Sequence, residues 1–225
     1  MPMSVWMRGL GVAGAALPGL LLAWSAVAHL RDGLAWDAAI PVPNGMIEQI
    51  PLERAEYQRA ADALSRADPA DGDAQIAAAE ARMHLRPSAG MQIAGLREGL
   101  EDNPASARGW TLLSEALFAT DRPHAASALA QALILDPDDF WLAGARARDA
   151  AVLWYDLDDD DARAAALRQT RLLWEEPQLR GQLHILLSTR AGVRLVQDAF
   201  ATDVDELRAL NRWVSAERRR RAAGR

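Results

Sequence analysis

The sequence predicts an all-α protein built as a stack of antiparallel helical hairpins, and three observations predict it. Half of the 225 residues are hydrophobic, and alanine supplies much of that half, which favours helix and close helix packing over sheet. Large apolar residues recur at three-and-four spacing, the pattern of a helix buried along one side. Proline closes such stretches at a regular interval, since Asp68-Pro69, Asn103-Pro104 and Asp136-Pro137 lie 35 and 33 residues apart.

The first element is Gly9 to Leu30, 22 residues whose only ionisable side chain is His29. At helical rise such a run spans roughly 33 Å, enough for a bilayer core. Trp6 and Trp36 flank it where indole rings favour the interface, and Pro18 is a tolerable kink. The competing expectation is a cleaved signal peptide, because Ala26-Val27-Ala28 forms an A-x-A site behind Leu20, Leu21 and Leu22. A retained transmembrane helix is preferred because the run exceeds the usual apolar region of about 7 to 15 residues, and its length likewise disfavours a buried core helix. Arg8 precedes the run and Arg31 follows it, with Asp32 and Asp37 beyond, which points to a single pass with the N-terminus inside. Residues 1–36 are therefore expected to anchor the chain in the inner (cytoplasmic) membrane, with the remainder in the periplasm. Residues 37–50, DAAIPVPNGMIEQI, carry Pro41, Pro43 and the turn pair Asn44-Gly45 and read as an extended linker.

The hairpins occupy residues 51–177. Pro51 opens a helix through Leu52, Ala55, Tyr57, Ala60, Ala61 and Leu64 that Asp68-Pro69 closes, the second half of a hairpin without its first. Ala74 to Leu85 and Ser88 to Glu101 form the next two helices, broken at Arg86-Pro87, with Gly99 and Leu100 in the places that Ala132 and Leu133 hold one hairpin later. Trp110 to Pro137 is the clearest pair: Trp110, Leu113 and Leu117 mark one helix and Leu129 and Leu133 the other, on either side of a break at Thr120 to Pro123. Asp121 can accept orphan amide hydrogens of the second helix, and Pro123 fits its first turn, where a missing N–H costs nothing. Asp136-Pro137 stops that helix, because the proline ring disfavours helical geometry in the residue before it. Asp138 to Pro177 is longer, with Phe140, Trp141, Val152, Leu153 and Trp154 expected in one helix and Leu167, Leu172, Leu173 and Trp174 in another.

After Pro177 the apolar residues regroup as Leu179, Leu183, Leu186, Leu187, then Val193, Leu195, Val196, Phe200, then Val204, Leu207, Leu210, Trp213. Residues 178–217 thus read as two or three capping helices, since the last hairpin would otherwise expose the face that each internal one buries. Asp203 or Asp205 can serve the N-terminus of the final helix. Residues 218–225 form a basic tail in which Arg218 to Arg221 suit a solvated helix end, with binding of anionic lipid or polysaccharide as the alternative.

The stretch from Trp110 to Pro137 resembles a tetratricopeptide repeat (TPR). Trp110 stands at the bulky position opening the first helix, Ser114, Ala125 and Ala132 at the close-approach positions, and Pro137 at the closing proline, with a turn one residue shorter than the family pattern. Glu80 falls near a small-residue position of the preceding repeat, a departure from the pattern. The resemblance implies a right-handed, TPR-like stack with a concave groove that receives an extended peptide or a helix of a partner. On that reading Pro69, Gly99, Pro104, Trp110, Ser114, Leu117, Ala125, Ala132 and Pro137 are packing positions that let neighbouring helices approach. The layout of anchor, proline-containing linker, degenerate repeats and cap is also similar to small TPR-like proteins of bacterial exopolysaccharide systems.

The composition excludes several function classes. All 25 cationic side chains are Arg and the net charge is -6, which argues against a general nucleic-acid binder. No Cys is present, so disulfides and thiolate metal sites are ruled out. Among His29, His84, His124 and His184 there is no pairing at helical spacing, and no metal site is expected. The run Asp158 to Asp161 lacks the alternating ligands and glycine of a calcium loop and suits a helix start. Trp110, Trp141, Trp154 and Trp174, beside leucines at helical spacing, are expected in the core rather than on a sugar-binding platform. No catalytic residue or cofactor is expected. The predicted function is a membrane-anchored scaffold or assembly factor of a bacterial envelope system, bound to protein partners in a membrane complex. The alternatives are a TPR chaperone of the cytochrome c maturation type, and an accessory glycan- or peptidoglycan-acting enzyme, for which Glu115 is the acid to test.

Overall fold

The computed structural model describes residues 53–67, 70–85 and 87–223. The expected membrane helix Gly9 to Leu30, the linker 37–50, the helix-opening Pro51 and the closing Pro69 lie outside the described residues. Among those described there are ten α-helices, one 3-10 turn and no strand, so the protein is all-α. No helix among them is long and apolar enough to cross a membrane. The chain divides into two compact units with the boundary between Arg86 and Pro87.

The first unit contains α1 (Arg54–Leu64) and α2 (Gly72–Met83). Helix α1 starts behind a reciprocal cap, in which the Glu53 amide donates to Glu56 Oε2 at 2.8 Å while Glu53 returns the bond. This cap places the start of the helix at Arg54, three residues after Pro51. Helix α2 is capped by Asp71, which accepts from the Ala74 amide at 3.0 Å. The two pack through small side chains, Ala60, Ala61 and Leu64 against Ala74, Ala78 and Ala81, all buried. Alanine lets the backbones come close, and Tyr57 closes one end by stacking on His84 at 4.3 Å.

The second unit holds α3 (Ala89–Asp102), α4 (Ala107–Leu117), α5 (Arg122–Leu135), α6 (Ala143–Leu153), α7 (Asp160–Glu175), the 3-10 turn Pro177–Leu179, α8 (Arg180–Leu186), α9 (Arg190–Ala199) and α10 (Val204–Ala223). Helices α2 and α3, joined in one hairpin on the sequence pattern, belong to different units. Most starts carry a short polar side chain that accepts an orphan amide hydrogen: Ser88, Ser106, Asp121, Asp159, Thr189 and Asp203 do so for α3, α4, α5, α7, α9 and α10. Pro123 sits in the first turn of α5 and Asp136 at its C-cap, in agreement with the turn chemistry read from the sequence.

Helices α4 and α5 form an antiparallel hairpin around Leu113, Leu117, Ala125, Leu129, Ala132 and Leu133, each at most 5% exposed. Helices α6 and α7 form the next through Ala143, Ala147, Leu153, Ala162, Ala166 and Leu173, all fully buried. Helices α8 and α9 pack on both members of that pair, and Leu183, Leu195, Val196 and Phe200 complete the core there. Their own crossing is tight. A Cβ built on Gly192 of α9 would lie 2.0 Å from the Leu186 carbonyl oxygen at the end of α8, so only glycine fits.

Two local expectations differ from the structure. Phe140 and Trp141 lie in the turn before α6 and Trp154 just after it. The carboxylate of Asp139 accepts from the amides of Trp141 and Leu142 at 2.8 and 3.0 Å, which fixes a turn there and delays the helix to Ala143. Trp141 consequently stands 68% exposed rather than in the core. At the other end, α10 runs through Arg218, Arg219 and Arg220 to Ala223, so these arginines stand at a helix end as expected and the boundary drawn at 218 between cap and tail falls inside the helix.

Candidate functional site

Helix α4 presents different chemistry on its different faces. On one, Trp110, Leu113 and Leu117 recur at helical spacing and meet Leu100 of α3 and Ala128 of α5 around an apolar pocket of about 430 Å³. Its rim is polar, with Arg97 and Glu101 from α3 and His124, Ser127 and Gln131 from α5. Trp110 donates its indole N–H to the Pro104 carbonyl at 2.8 Å, so the polar edge of the ring is satisfied by its own chain and the apolar face is left to the pocket. At the mouth, His124 Nδ1 and Asp121 Oδ2 are 2.7 Å apart, and this bond is the main reason the Asp121 carboxyl is held below the usual carboxylate range. Volume, apolar wall and charged rim together are what a groove for one or two large apolar side chains of a ligand requires.

A second face of α4 contributes to a buried polar cluster that fastens four helices, α4 to α7, together. Arg146 of α6, 0% exposed, donates from Nε to Thr111 Oγ1 at 2.9 Å and from Nη1 to the Asp136 carbonyl at 2.6 Å. Its Nη2 lies 3.7 Å from the Asp139 carboxylate. Gln169 of α7 donates to the Pro137 carbonyl at 3.0 Å. The carbonyls at the end of α5, which a helix leaves without partners, are thereby satisfied from α6 and α7. Burial lowers the proton affinity of Arg146, and the nearby charges of Asp139 and Asp136 oppose that shift.

Further along the same helices, Asp149 of α6 feels the charge of Glu115 of α4. Burial first, then the Glu115 carboxylate, pushes the Asp149 carboxyl up to about 7. The adjacent Arg148 opposes this, but its Nη1 donates to Gln182 of α8 at 2.7 Å. Asp149 Oδ2 is buried with no hydrogen-bond partner.

Four of the side-chain links span 34 or 35 residues, beside others at 28, 30, 32 and 39. Thr111 to Arg146 is 35 residues, Arg122 to Asp156 is 34, Arg148 to Gln182 is 34, and Arg171 to Glu206 is 35. Thr111 and Glu115 on α4 meet Arg146 and Asp149 on α6 in the same order, so these two helices run parallel.

The positions singled out by the sequence pattern are distributed as follows. Trp110 and Leu117 line the pocket. Gly99, Ser114, Ala125 and Ala132 are buried, Ser114 with no hydrogen-bond partner for its hydroxyl. Pro104 is exposed in the turn before α4, and Pro137 is half-buried after α5. Glu115 is exposed and does not line the pocket. In the acidic run, Asp159 caps α7 and Asp160 and Asp161 occupy its first turn. Among the described residues no group of three or more His, Asp or Glu side chains could hold a metal ion.

Arg146 and Asp149 escaped the sequence-based reading. A faint signal exists for both, since Arg146 shares a face with Ala143 and Ala150 and Asp149 follows one turn on, but an alanine-rich helix does not say which face is buried. No protein-family model matches this chain, and the comparisons with characterised proteins and with solved structures found no match.

Proposed function

We propose that the protein is a TPR-like binding module, a membrane-anchored scaffold or assembly factor of a bacterial envelope system that holds a segment of a partner protein in the pocket between α3, α4 and α5. The observation that carries this reading is the pocket itself, an apolar volume of about 430 Å³ walled by Leu100, Trp110, Leu113, Leu117 and Ala128 under a charged rim. An amphipathic helix or extended segment would seat two aliphatic side chains there and set an acid against Arg97. The TPR-like part is supported by side-chain links that recur at 34 and 35 residues, the spacing expected when equivalent positions of successive repeats meet. The anchor and the periplasmic placement rest on the uncharged run Gly9 to Leu30.

A photo-crosslinking residue placed at Ser127 or Gln131, both exposed on the rim, tests this in native membranes. The expected result is one dominant adduct that is absent when the crosslinker stands at exposed Asp158, and that falls at least tenfold in Trp110→Ala. An adduct pattern that ignores Trp110→Ala and is the same from Asp158 would end the proposal.

A second reading, an accessory glycan- or peptidoglycan-acting enzyme, is favoured by one observation. A carboxyl that titrates near neutrality beside another carboxylate suits a general acid, and Glu115, the residue this reading needs, is the neighbour that helps raise Asp149. The pair takes no part in the apolar pocket. Binding is therefore preferred, and undiminished turnover of envelope glycan by Glu115→Gln and Asp149→Asn would remove the enzymatic reading.

A further inference from the structure

The charge of this chain is unevenly distributed. Residues 204–225 carry seven arginines against three acidic residues, while the rest of the chain carries 18 arginines against 28 acids. Helix α10 organises that excess. Leu210 is buried, Leu207, Trp213 and Val214 are half-buried, and the Trp213 ring meets Trp174 of α7 edge-on at 5.9 Å. On the opposite side Arg208, Arg212, Ser215 and Arg219 follow one another at intervals of four, three and four, and all are exposed. The row is about 16 Å long at helical rise. Arg208 pairs with Asp205 at 3.0 Å, whereas Arg212 and Arg219 have no ion-pair partner among the described residues.

We propose that the exposed arginine row of α10 is a docking surface for the anionic headgroups of a lipid bilayer. Charge complementarity carries the assignment. Guanidinium groups are weakly hydrated forks that match phosphate oxygens, and a straight row on one side of a helix can address a flat anionic surface without bending the protein. A soluble polyanion is the poorer match, because a chain that wraps the protein would meet the acidic excess of the remainder. A basic patch alone gives weak, reversible attachment, and becomes an effective contact when a second, apolar signal lies in the same chain. The uncharged run Gly9 to Leu30 is such a signal.

The chain contains no cysteine, so Ser215→Cys provides a unique label in the middle of the row. The full chain carrying an environment-sensitive fluorophore at that position is mixed with vesicles of phosphatidylcholine alone, or with one third phosphatidylglycerol. The readout is local to α10 and is independent of whether another segment holds the chain to the vesicle. The expected result is a blue shift with anionic vesicles only, abolished in concentrated salt, with each of Arg208→Gln, Arg212→Gln and Arg219→Gln weakening the response about fivefold. Unchanged helicity by circular dichroism keeps the comparison free of unfolding. The proposal is overturned by equal emission with both vesicles, by an undiminished response in the triple variant, or by dextran sulfate producing the shift that anionic vesicles fail to produce.

Discussion

Replacing Asp149 by Asn should stabilise the protein at alkaline pH and remove much of its pH dependence. The carboxyl is pushed from an ordinary value of 3.8 up to about 7, chiefly by burial and then by Glu115. Because the folded value is raised, the unfolded chain ionises first as pH increases, so the native state binds the extra proton between about pH 4 and 7. Stability therefore falls through that window and the whole penalty is present above it. A shift of roughly three units corresponds to about 4 kcal/mol at 1.36 kcal/mol per unit, and about 2 kcal/mol remains if water reaches this partly exposed side chain. Asparagine keeps the shape and removes the charge. Urea unfolding followed by circular dichroism at pH 5 and pH 8 should show the wild type losing about 0.5–2.5 kcal/mol more than Asp149→Asn between the two conditions, the rest of the loss lying below pH 5. At pH 8 the variant should be the more stable protein. A variant that is less stable than wild type at pH 8, or that keeps the full pH slope, would refute the assignment of this group. Glu115→Gln should give a smaller gain of the same sign, since its charge is the lesser of the two causes.

Gly192→Ala should cost about 2–4 kcal/mol by thermal unfolding, because backbone rather than a movable side chain occupies the space its methyl needs. Gly90→Ala, where a Cβ meets nothing within 4 Å, should instead gain about 0.5 kcal/mol. Arg146→Ala should lower stability by about 2–4 kcal/mol through the Asp136 carbonyl deprived of its 2.6 Å donor and the volume left empty, the Thr111 hydroxyl keeping its bond to the Ala107 carbonyl, and Arg146→Met by less, since it refills the volume; urea midpoints distinguish the two. Asp159→Ala should remove the cap of α7 and cost about 1 kcal/mol, while Asp158→Ala, outside the cap, should leave the melting temperature unchanged.

The features legible in the sequence are those decided within a few residues of chain. Asp121 and Pro123 start α5, Asp159 starts α7, and the acids after it fall in the first turn, because capping needs only a short side chain and its own backbone. The buried faces of α4 and α5 follow from leucine spacing. The hydrophobicity of Trp141 suggests a buried helical position, but the Asp139 carboxylate two residues earlier makes the turn that exposes it. The features that depend on a neighbour one hairpin away were not legible at all. Arg146 is buried where Thr111 and Asp136 accept its hydrogen bonds, and Asp149 is perturbed by burial first and by the Glu115 charge second, surroundings for which a single sequence holds no local sign. The pocket belongs to the same class, since Leu100, Leu113 and Ala128 are unremarkable core residues until three helices are put together.

The side-chain links at 34 and 35 residues have a consequence for how the second unit comes apart. Thr111 to Arg146, Arg148 to Gln182 and Arg171 to Glu206 each couple one helix to another farther along the chain, and Arg122 of α5 reaches Asp156 in the turn after α6. On the repeat-stack reading proposed above, cooperativity passes from neighbour to neighbour without a central hub, in the manner of a one-dimensional lattice. Opening should start at the ends, α3 and α10, and advance inward, so amide exchange should be fastest in those two helices and slowest in the middle of the unit. The α3 wall of the pocket would then open before the walls that α4 and α5 supply.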